Sequence, residues 1–335
     1  MTISYIGIIG AGAWGTALAQ SIYQAGCGAV LWSFETGVAE TINKTNENTA
    51  YLPGIKLNAG IRATAVLEEA AAADAVFLVM PAQFLRNVTT ELSNYLSRDI
   101  PIVICAKGIE QNSAALMSEI VDDTLPGRPI AVLSGPTFAA EVAKGFPTAI
   151  TLATHNNNLG AELIQAIGTQ KLRPYLSTDL IGSEIGGAVK NVIAIACGIA
   201  DGHGFGDNAR AALITRGLAE MTRLCIAKGG RPETMMGLSG LGDLTLTCSS
   251  SQSRNYSLGN ALGKGEALEK LLKSRKSIAE GVTSAAAIST LAKRLGIEMP
   301  ITQSVAAIVS ETVTVDDAIE NLLARPFQIE NHSGR

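Results

Sequence analysis

No two cysteines in this chain are spaced Cys-x-x-Cys. The five present, Cys27, Cys105, Cys197, Cys225 and Cys248, are scattered, as small apolar thiols of a reducing compartment are. The three histidines, His155, His203 and His332, gather with neither cysteines nor carboxylates, so no metal site is expected. A long basic run is also missing, and the formal net charge is −4. Nucleic acid and anionic membranes are thereby excluded as main partners, although a local basic pocket for a small anion is not. No apolar stretch is long and unbroken enough to require a transmembrane helix. The N-terminus runs straight into a strand pattern, which predicts no signal peptide and a cytoplasmic protein. Internal repeats and low-complexity linkers are absent as well.

What is present begins at once. Ile6-Gly7-Ile8-Ile9 leads into Gly10-Ala11-Gly12-Ala13-Trp14-Gly15 and then into an alanine-rich helical stretch. In a βα unit of this layout Gly10 permits the tight turn. Gly12 lets backbone approach a pyrophosphate, and Gly15 lets helix pack on strand. The helix start offers free N–H groups and a positive dipole end to phosphate. In a chain with 34 glycines the pattern alone is weak. Its position, after the first strand and before a helix, makes it a nicotinamide-dinucleotide signal.

At 335 residues and 47% hydrophobic, the chain is long enough for two cores. Its first half alternates short apolar runs at 4–9, 29–33, 75–80, 102–106, 130–134, 149–153 and 172–176 with helical stretches such as 82–96 and 113–122. Such alternation predicts a doubly wound parallel sheet of Rossmann type. Its ligands bind beyond the carboxyl ends of the strands. From about Asp179 the pattern is helical, at 180–200, 209–228, 261–273, 282–295, 301–310 and 315–323. Asp207 or Asn208 is the expected cap of the second of these. The fold class is therefore α/β, a Rossmann domain over residues 1–178 followed by an all-α domain over 179–335. The polar tail from Gln328 is expected to fray. The apolar second half suggests a homodimer, but no pattern locates its interface.

Several side chains can carry chemistry there, and each has a plainer alternative. Lys107 follows the run at 102–106 and can donate to a substrate oxygen, or be a solvated loop lysine. Lys190 lies in an apolar, small-residue helix. Desolvation there lowers its pKa toward neutrality and suits it to acid–base work, unless it snorkels to the surface. Asp243, in Leu238-Ser239-Gly240-Leu241-Gly242-Asp243, can orient Lys190 or cap a helix. Ser253-Arg254-Asn255 before a helical pattern makes a phosphate cradle, or an ordinary N-cap with a solvated arginine. Ser134-Gly135-Pro136-Thr137 brings another hydroxyl to the same crevice. Together they describe a nicotinamide site beside a small anionic substrate.

At this point the chain resembles the bacterial-type NAD(P)-dependent glycerol-3-phosphate dehydrogenases over nearly its whole length. The motifs that carry the resemblance are the glycine turn, Tyr51-Leu52-Pro53-Gly54, Lys107-Gly108-Ile109, and Leu133 to Ala139. To these are added Glu184 to Asn191, Gly206 to Gly217, Ser253-Arg254-Asn255 and Ala279-Glu280-Gly281-Val282. The resemblance implies reversible, NAD(H)- or NADP(H)-dependent reduction of dihydroxyacetone phosphate to sn-glycerol 3-phosphate for glycerophospholipid synthesis. It implies that Lys190 is the proton donor, and that Lys107 and Asp243 complete the catalytic polar site. Gly135, Thr137, Ser253, Arg254 and Asn255 then hold substrate. The cofactor contacts are Gly10, Gly12, Ala13, Trp14, Gly15, Phe34, Glu35, Lys107, Ala139, Arg254, Ile278 and Glu280. No metal is implied.

Three positions depart from the usual pattern of that family. Ala13 replaces a frequent serine, Thr137 stands for serine, and Phe34-Glu35 stands where histidine or arginine is common. A carboxylate there favours a ribose hydroxyl over a 2′-phosphate. The competing readings are a two-domain dehydrogenase of the β-hydroxyacid or ketopantoate reductase kind, and a dinucleotide sensor without turnover. Arg254-Asn255 and the 207–217 block argue against the first. Lys107, Lys190 and Asp243 argue against the second.

Overall fold

The structure, a computed structural model, describes residues 2–274 and 279–327. Its sheet half holds β1 (Tyr5–Ile9), β2 (Gly28–Trp32), β3 (Arg62–Thr64), β4 (Ala75–Leu78), β5 (Ile102–Ile104), β6 (Ile130–Ser134), β7 (Thr148–Ala153) and β8 (Leu172–Ser177). They form one sheet in the order β3-β2-β1-β4-β5-β6-β7-β8. Neighbouring residues along a strand face opposite helical layers. Ile8 and Phe77 belong to one core, Ile9 and Leu78 to the other. Burial on both faces explains the near-continuous apolar runs.

Two features differ from the expectation. The sheet is parallel except at β6–β7, where Leu133 lies opposite Leu152 in an antiparallel pair. An apolar run has the same composition in either direction, so periodicity carries no sign of this. The strand β3 is only three residues, Arg-Ala-Thr, pairing with Val30 to Trp32, too short and polar to register as a run.

The helical half is organised around Leu180–Gly202, capped at its start by Asp179, whose Oδ1 accepts from the Gly182 N–H at 2.9 Å. This is the one described helix apolar and long enough to cross a membrane, and 94% of its apolar window is buried inside the fold. Around it pack Gly206–Ala227, Arg254–Gly263, Glu280–Arg294 and Pro300–Val309. The partner Arg254–Gly263 lies backbone against backbone. A Cβ on Gly198 would meet the Tyr256 carbonyl oxygen at 2.1 Å, and one on Gly259 the Ile195 carbonyl oxygen at 2.1 Å. Only glycine allows this approach.

Helix boundaries bring three corrections. The 206–227 helix begins at Gly206 with Phe205 in the cap position, so neither Asp207 nor Asn208 caps it. Asp207 instead lies in the first turn and pairs with Arg210. The expected helix at 261–273 is two helices, Arg254–Gly263 and Leu268–Ser274. The chain breaks between them at Gly265, whose φ is +86°, a value that favours glycine. The expected 82–96 helix is a 3₁₀ turn, Ala82–Phe84, followed by Leu85–Leu92. The tail from Gln328 lies outside the described residues.

The two halves are joined by a buried carboxylate. Glu184, on the central helix, accepts from Ser118 N at 2.8 Å and Ser118 Oγ at 2.6 Å, in the first turn of Met117–Thr124. Burial pushes its pKa up to about 7, against the lowering effect of Ser118, with Glu119 raising and Lys228 lowering it further. A carboxyl raised in the folded state binds its proton more tightly there than unfolded. It therefore costs no stability below the unfolded pKa, and the cost grows as pH rises toward 7. Glu184→Gln should gain stability relative to the parent between pH 5 and pH 8. Denaturant midpoints at both values check this, and a pH-independent difference would refute it.

Candidate active site

The glycine turn takes the conformation its residues demand. Gly10 has φ +126°, and a Cβ there would meet Met80 N and Val79 C at 2.9 Å. A Cβ on Gly15 would lie 1.9 Å from the Gly10 carbonyl oxygen, so the helix Ala13–Gln24 rests directly on the turn. Above Gly12, by contrast, nothing lies within 4 Å of a Cβ position. That helix has no side-chain cap and no acid in its first turn, which leaves its N–H groups and positive end for an anion. The Trp14 indole N–H is buried without a partner. Ala13, Trp14 and Ala139 share one small apolar cluster. These residues fit a dinucleotide: the turn and helix start would hold its phosphates.

Beyond the end of β5 three charged groups meet. Asp243 Oδ1 accepts from Lys190 Nζ at 2.6 Å, and its Oδ2 from Lys107 Nζ at 2.7 Å. The side-chain exposures are 1% for Asp243, 9% for Lys190 and 15% for Lys107. Asp243 begins the helix Asp243–Cys248, and Thr247 on the next turn accepts from Lys190 Nζ at 2.9 Å. Burial pulls the Lys190 pKa down to about 8, opposed by Asp243 and assisted by Lys107.

Local sequence explains the assembly. A Cβ on Gly186 would strike the Ser239 carbonyl oxygen at 2.1 Å, so that glycine admits the π-helical turn Leu238–Gly242 leading into Asp243. A Cβ on Gly187 would stand 2.9 Å from Ser134 Oγ and 3.3 Å from Lys107 Cγ, so that glycine admits the strand ends. Lys107 Nζ also donates to the Gly135 carbonyl at 3.0 Å, as does the Thr137 hydroxyl at 3.2 Å. Gly135, with φ +152°, is thus the fixed point for both.

Ser253 is the N-cap of Arg254–Gly263, its hydroxyl accepting from Tyr256 N at 3.2 Å. Asn255 is committed elsewhere: Nδ2 donates to Asn191 Oδ1 at 2.9 Å, and Oδ1 accepts from Gly281 N at 3.0 Å. It locks three helices together and keeps its second Nδ2 hydrogen and the second lone pair of Oδ1 for a ligand. Glu280 opens the helix Glu280–Arg294. Burial raises its carboxyl pKa while Arg254, Lys107 and Lys190 lower it, so Glu280 and Arg254 adjoin the lysine cluster. Phe34 is 87% exposed beyond β2. Glu35 stands at the N-cap position of Thr36–Thr45 with no side-chain cap bond. Ile278 lies outside the described residues.

Sequence reasoning overlooked Thr247, Asn191 and Tyr51. The first two stand four residues from Asp243 and next to Lys190 respectively, which was the available signal. Tyr51 donates to Glu35 Oε2 at 2.7 Å, a contact between separate segments that no spacing reveals. Chemically, a buried ammonium held by a carboxylate and a hydroxyl can give a proton to a carbonyl oxygen. A second ammonium and Arg254 nearby can accommodate an anionic substrate.

The chain is similar to known proteins along its whole length. Residues 5–160 match the family model described as the NAD-dependent glycerol-3-phosphate dehydrogenase N-terminus, and 179–320 match the C-terminus model. A glycerol-3-phosphate dehydrogenase [NAD(P)+] of Maricaulis maris is 55% identical over 97% of this chain and 98% of its own. One from Parvibaculum lavamentivorans is 54% identical over 98% and 100%. The crystal structure of glycerol-3-phosphate dehydrogenase from Coxiella burnetii superposes with TM-score 0.93 at 38% identity, covering 96% of this chain and 99% of that one. The ketopantoate reductase of Ralstonia eutropha shares the fold alone, at 14% identity and TM-score 0.61. The chain therefore belongs to the NAD-dependent glycerol-3-phosphate dehydrogenase family.

Proposed function

We propose that this chain reduces dihydroxyacetone phosphate to sn-glycerol 3-phosphate, reversibly, with NADH or NADPH, and so supplies the backbone of glycerophospholipids. The observation that carries this is the Lys190–Asp243–Lys107 cluster, with Asp243 and Lys190 buried, in a fold that also holds the open glycine turn. When bound, the reduced nicotinamide supplies hydride. Lys190 gives its proton to the carbonyl oxygen as charge develops there, and Thr247 and Asp243 keep its Nζ in place. Lys107, anchored on Gly135, polarises the same oxygen. Arg254 and the Ser253-capped helix start bind the phosphate, with Thr137 and Asn255 at the edges of the substrate. The catalytic residues are Lys190, Lys107 and Asp243. The domain boundary is taken between residues 178 and 179. A cytoplasmic location is in keeping with five free cysteines.

Absorbance at the reduced-nicotinamide band, with dihydroxyacetone phosphate and either nucleotide, tests the reading. Turnover of 3-hydroxy acids instead would point to the ketopantoate or β-hydroxyacid kind, and no turnover to a sensor. Arg254→Lys tests the phosphate anchor. It keeps the charge and loses the two-pronged geometry. A drop of roughly 10- to 150-fold in kcat/KM is expected, the value of one charge-assisted contact. The drop should be far smaller for unphosphorylated dihydroxyacetone. Equal losses on both substrates would show that Arg254 holds something other than phosphate.

A further inference from the structure

We propose that Glu35 and Tyr51 form a preorganised reader of the adenosine ribose that makes this chain select NADH over NADPH, a proposal that rests on the nucleotide part of the reading above. Strands β1 and β2 are adjacent and parallel, with Ile9 beside Trp32. The Gly10 N–H donates to the Trp32 carbonyl at 3.1 Å. Three residues beyond each strand end stand Gly12, with open space above it, and Glu35. The carboxylate thus neighbours the turn that would hold the pyrophosphate, where an acidic side chain can accept from a ribose hydroxyl.

Glu35 is fixed at both ends. The buried Ser33 Oγ accepts from Glu35 N at 3.2 Å and donates to Glu35 O at 3.0 Å. The Tyr51 phenol donates to Oε2 at 2.7 Å. Tyr51 is itself tied to the glycine turn through Asn48. Asn48 Nδ2 donates to Ala11 O and Thr16 Oγ1, each at 2.8 Å, and its Oδ1 accepts from Tyr51 N at 3.1 Å. One polar chain therefore links the phosphate turn to the carboxylate. With Oε2 taken, Oε1 is left to accept from a ribose diol.

Among the described residues no cation pairs with Glu35. Lys44 sits in the last turn of Thr36–Thr45, about 13 Å along the helix axis from the end at which Glu35 stands. Arg62, at the start of β3, is engaged by Glu69 at 2.8 Å. A phosphate with about two negative charges near neutral pH would lie against a fixed carboxylate. Glu35 is thus a specificity-determining residue and Tyr51 a positioning residue.

The test is equilibrium binding to the whole chain without substrate, by nucleotide fluorescence for NADH and NADPH and by calorimetry for 5′-AMP and 2′,5′-ADP. The unmodified chain should bind NADH at least about tenfold more tightly than NADPH, the size of one charge-assisted contact. Glu35→Gln should close that gap, chiefly by improving NADPH. Tyr51→Phe, which removes one oxygen, should narrow it several-fold by weakening NADH, with the same trend in the two adenosine fragments. Equal or tighter NADPH binding by the unmodified chain would overturn the proposal, as would a ratio unmoved by Glu35→Gln. A ratio unmoved by Tyr51→Phe would remove Tyr51 from it. If the ratios behave as stated but dihydroxyacetone phosphate is not reduced, the cofactor inference stands and the proposed reaction falls.

Discussion

Lys190→Ala is expected to lower kcat for reduction of dihydroxyacetone phosphate by at least ~10²-fold, the lower end of what general acid catalysis contributes. Reduced nucleotide should still bind, because Lys190 Nζ is held by Asp243 and Thr247 and is no part of the glycine turn proposed to hold the pyrophosphate. Steady-state rates and a nucleotide titration separate the two effects. Lys190→Arg sharpens the test, since a guanidinium keeps the charge but does not release its proton. It should remain as impaired as the alanine variant. The pH profile carries the same logic. With the amine pulled down to about 8 by burial, reduction uses the ammonium form, so kcat/KM should be level below that pH and fall above it. Oxidation of sn-glycerol 3-phosphate needs the neutral amine and should rise over the same interval. A near-normal kcat in Lys190→Ala would remove this residue from proton transfer.

Asp243→Asn should be comparably severe, and for a different reason. The carboxylate accepts from two ammoniums, at 2.6 and 2.7 Å, and is itself 1% exposed. Removing its charge leaves two buried cations facing one another, and breaking a buried pair in this way costs about 3–5 kcal/mol. Asp243 also raises the Lys190 pKa against burial. Without it Lys190 becomes a neutral amine at lower pH, and the proton donor is missing where the enzyme works. Two readouts follow: a kcat for reduction at pH 7 down by at least ~10²-fold, and a pH break displaced below that of the parent. A variant that loses activity but keeps the parental break would show that Asp243 only supports the fold.

Much of this site could be read from the chain because each residue has a local physical reason. The glycines at 10, 12 and 15 serve a turn, an open approach and a close contact, all encoded within six residues. Lys190 stands out because its neighbours are apolar and small, and burial follows. Asp243 was readable only as a choice between capping a helix and orienting Lys190; it stands in the first turn with Gly242 in the cap position, makes no side-chain cap bond, and holds Lys190. The reversed direction of β7 and β8 was not legible, because apolar composition has no direction. Tyr51 was not legible either, since its role arises from which oxygen faces it after folding, whereas Thr247 left a signal in its four-residue spacing from Asp243. Asn255 shows the opposite case: its residue type suits a ligand, and the fold also uses both ends of its amide to join helices.

The glycine contacts between the central helix and Arg254–Gly263 have a consequence for substrate choice. Side chains between helices yield under load by changing rotamer, whereas two backbones in contact have no such slack. Asn191, beside Lys190, is bonded to Asn255, beside Arg254, and the backbone contacts at Gly198 and Gly259 continue that seam. The backbone span between Lys190 and Arg254 is therefore set like a fixed caliper. On the proposed roles of Lys190 and Arg254, a longer spacing between ketone and phosphate should cost turnover, and kcat/KM for longer phosphorylated ketoses against dihydroxyacetone phosphate would show it.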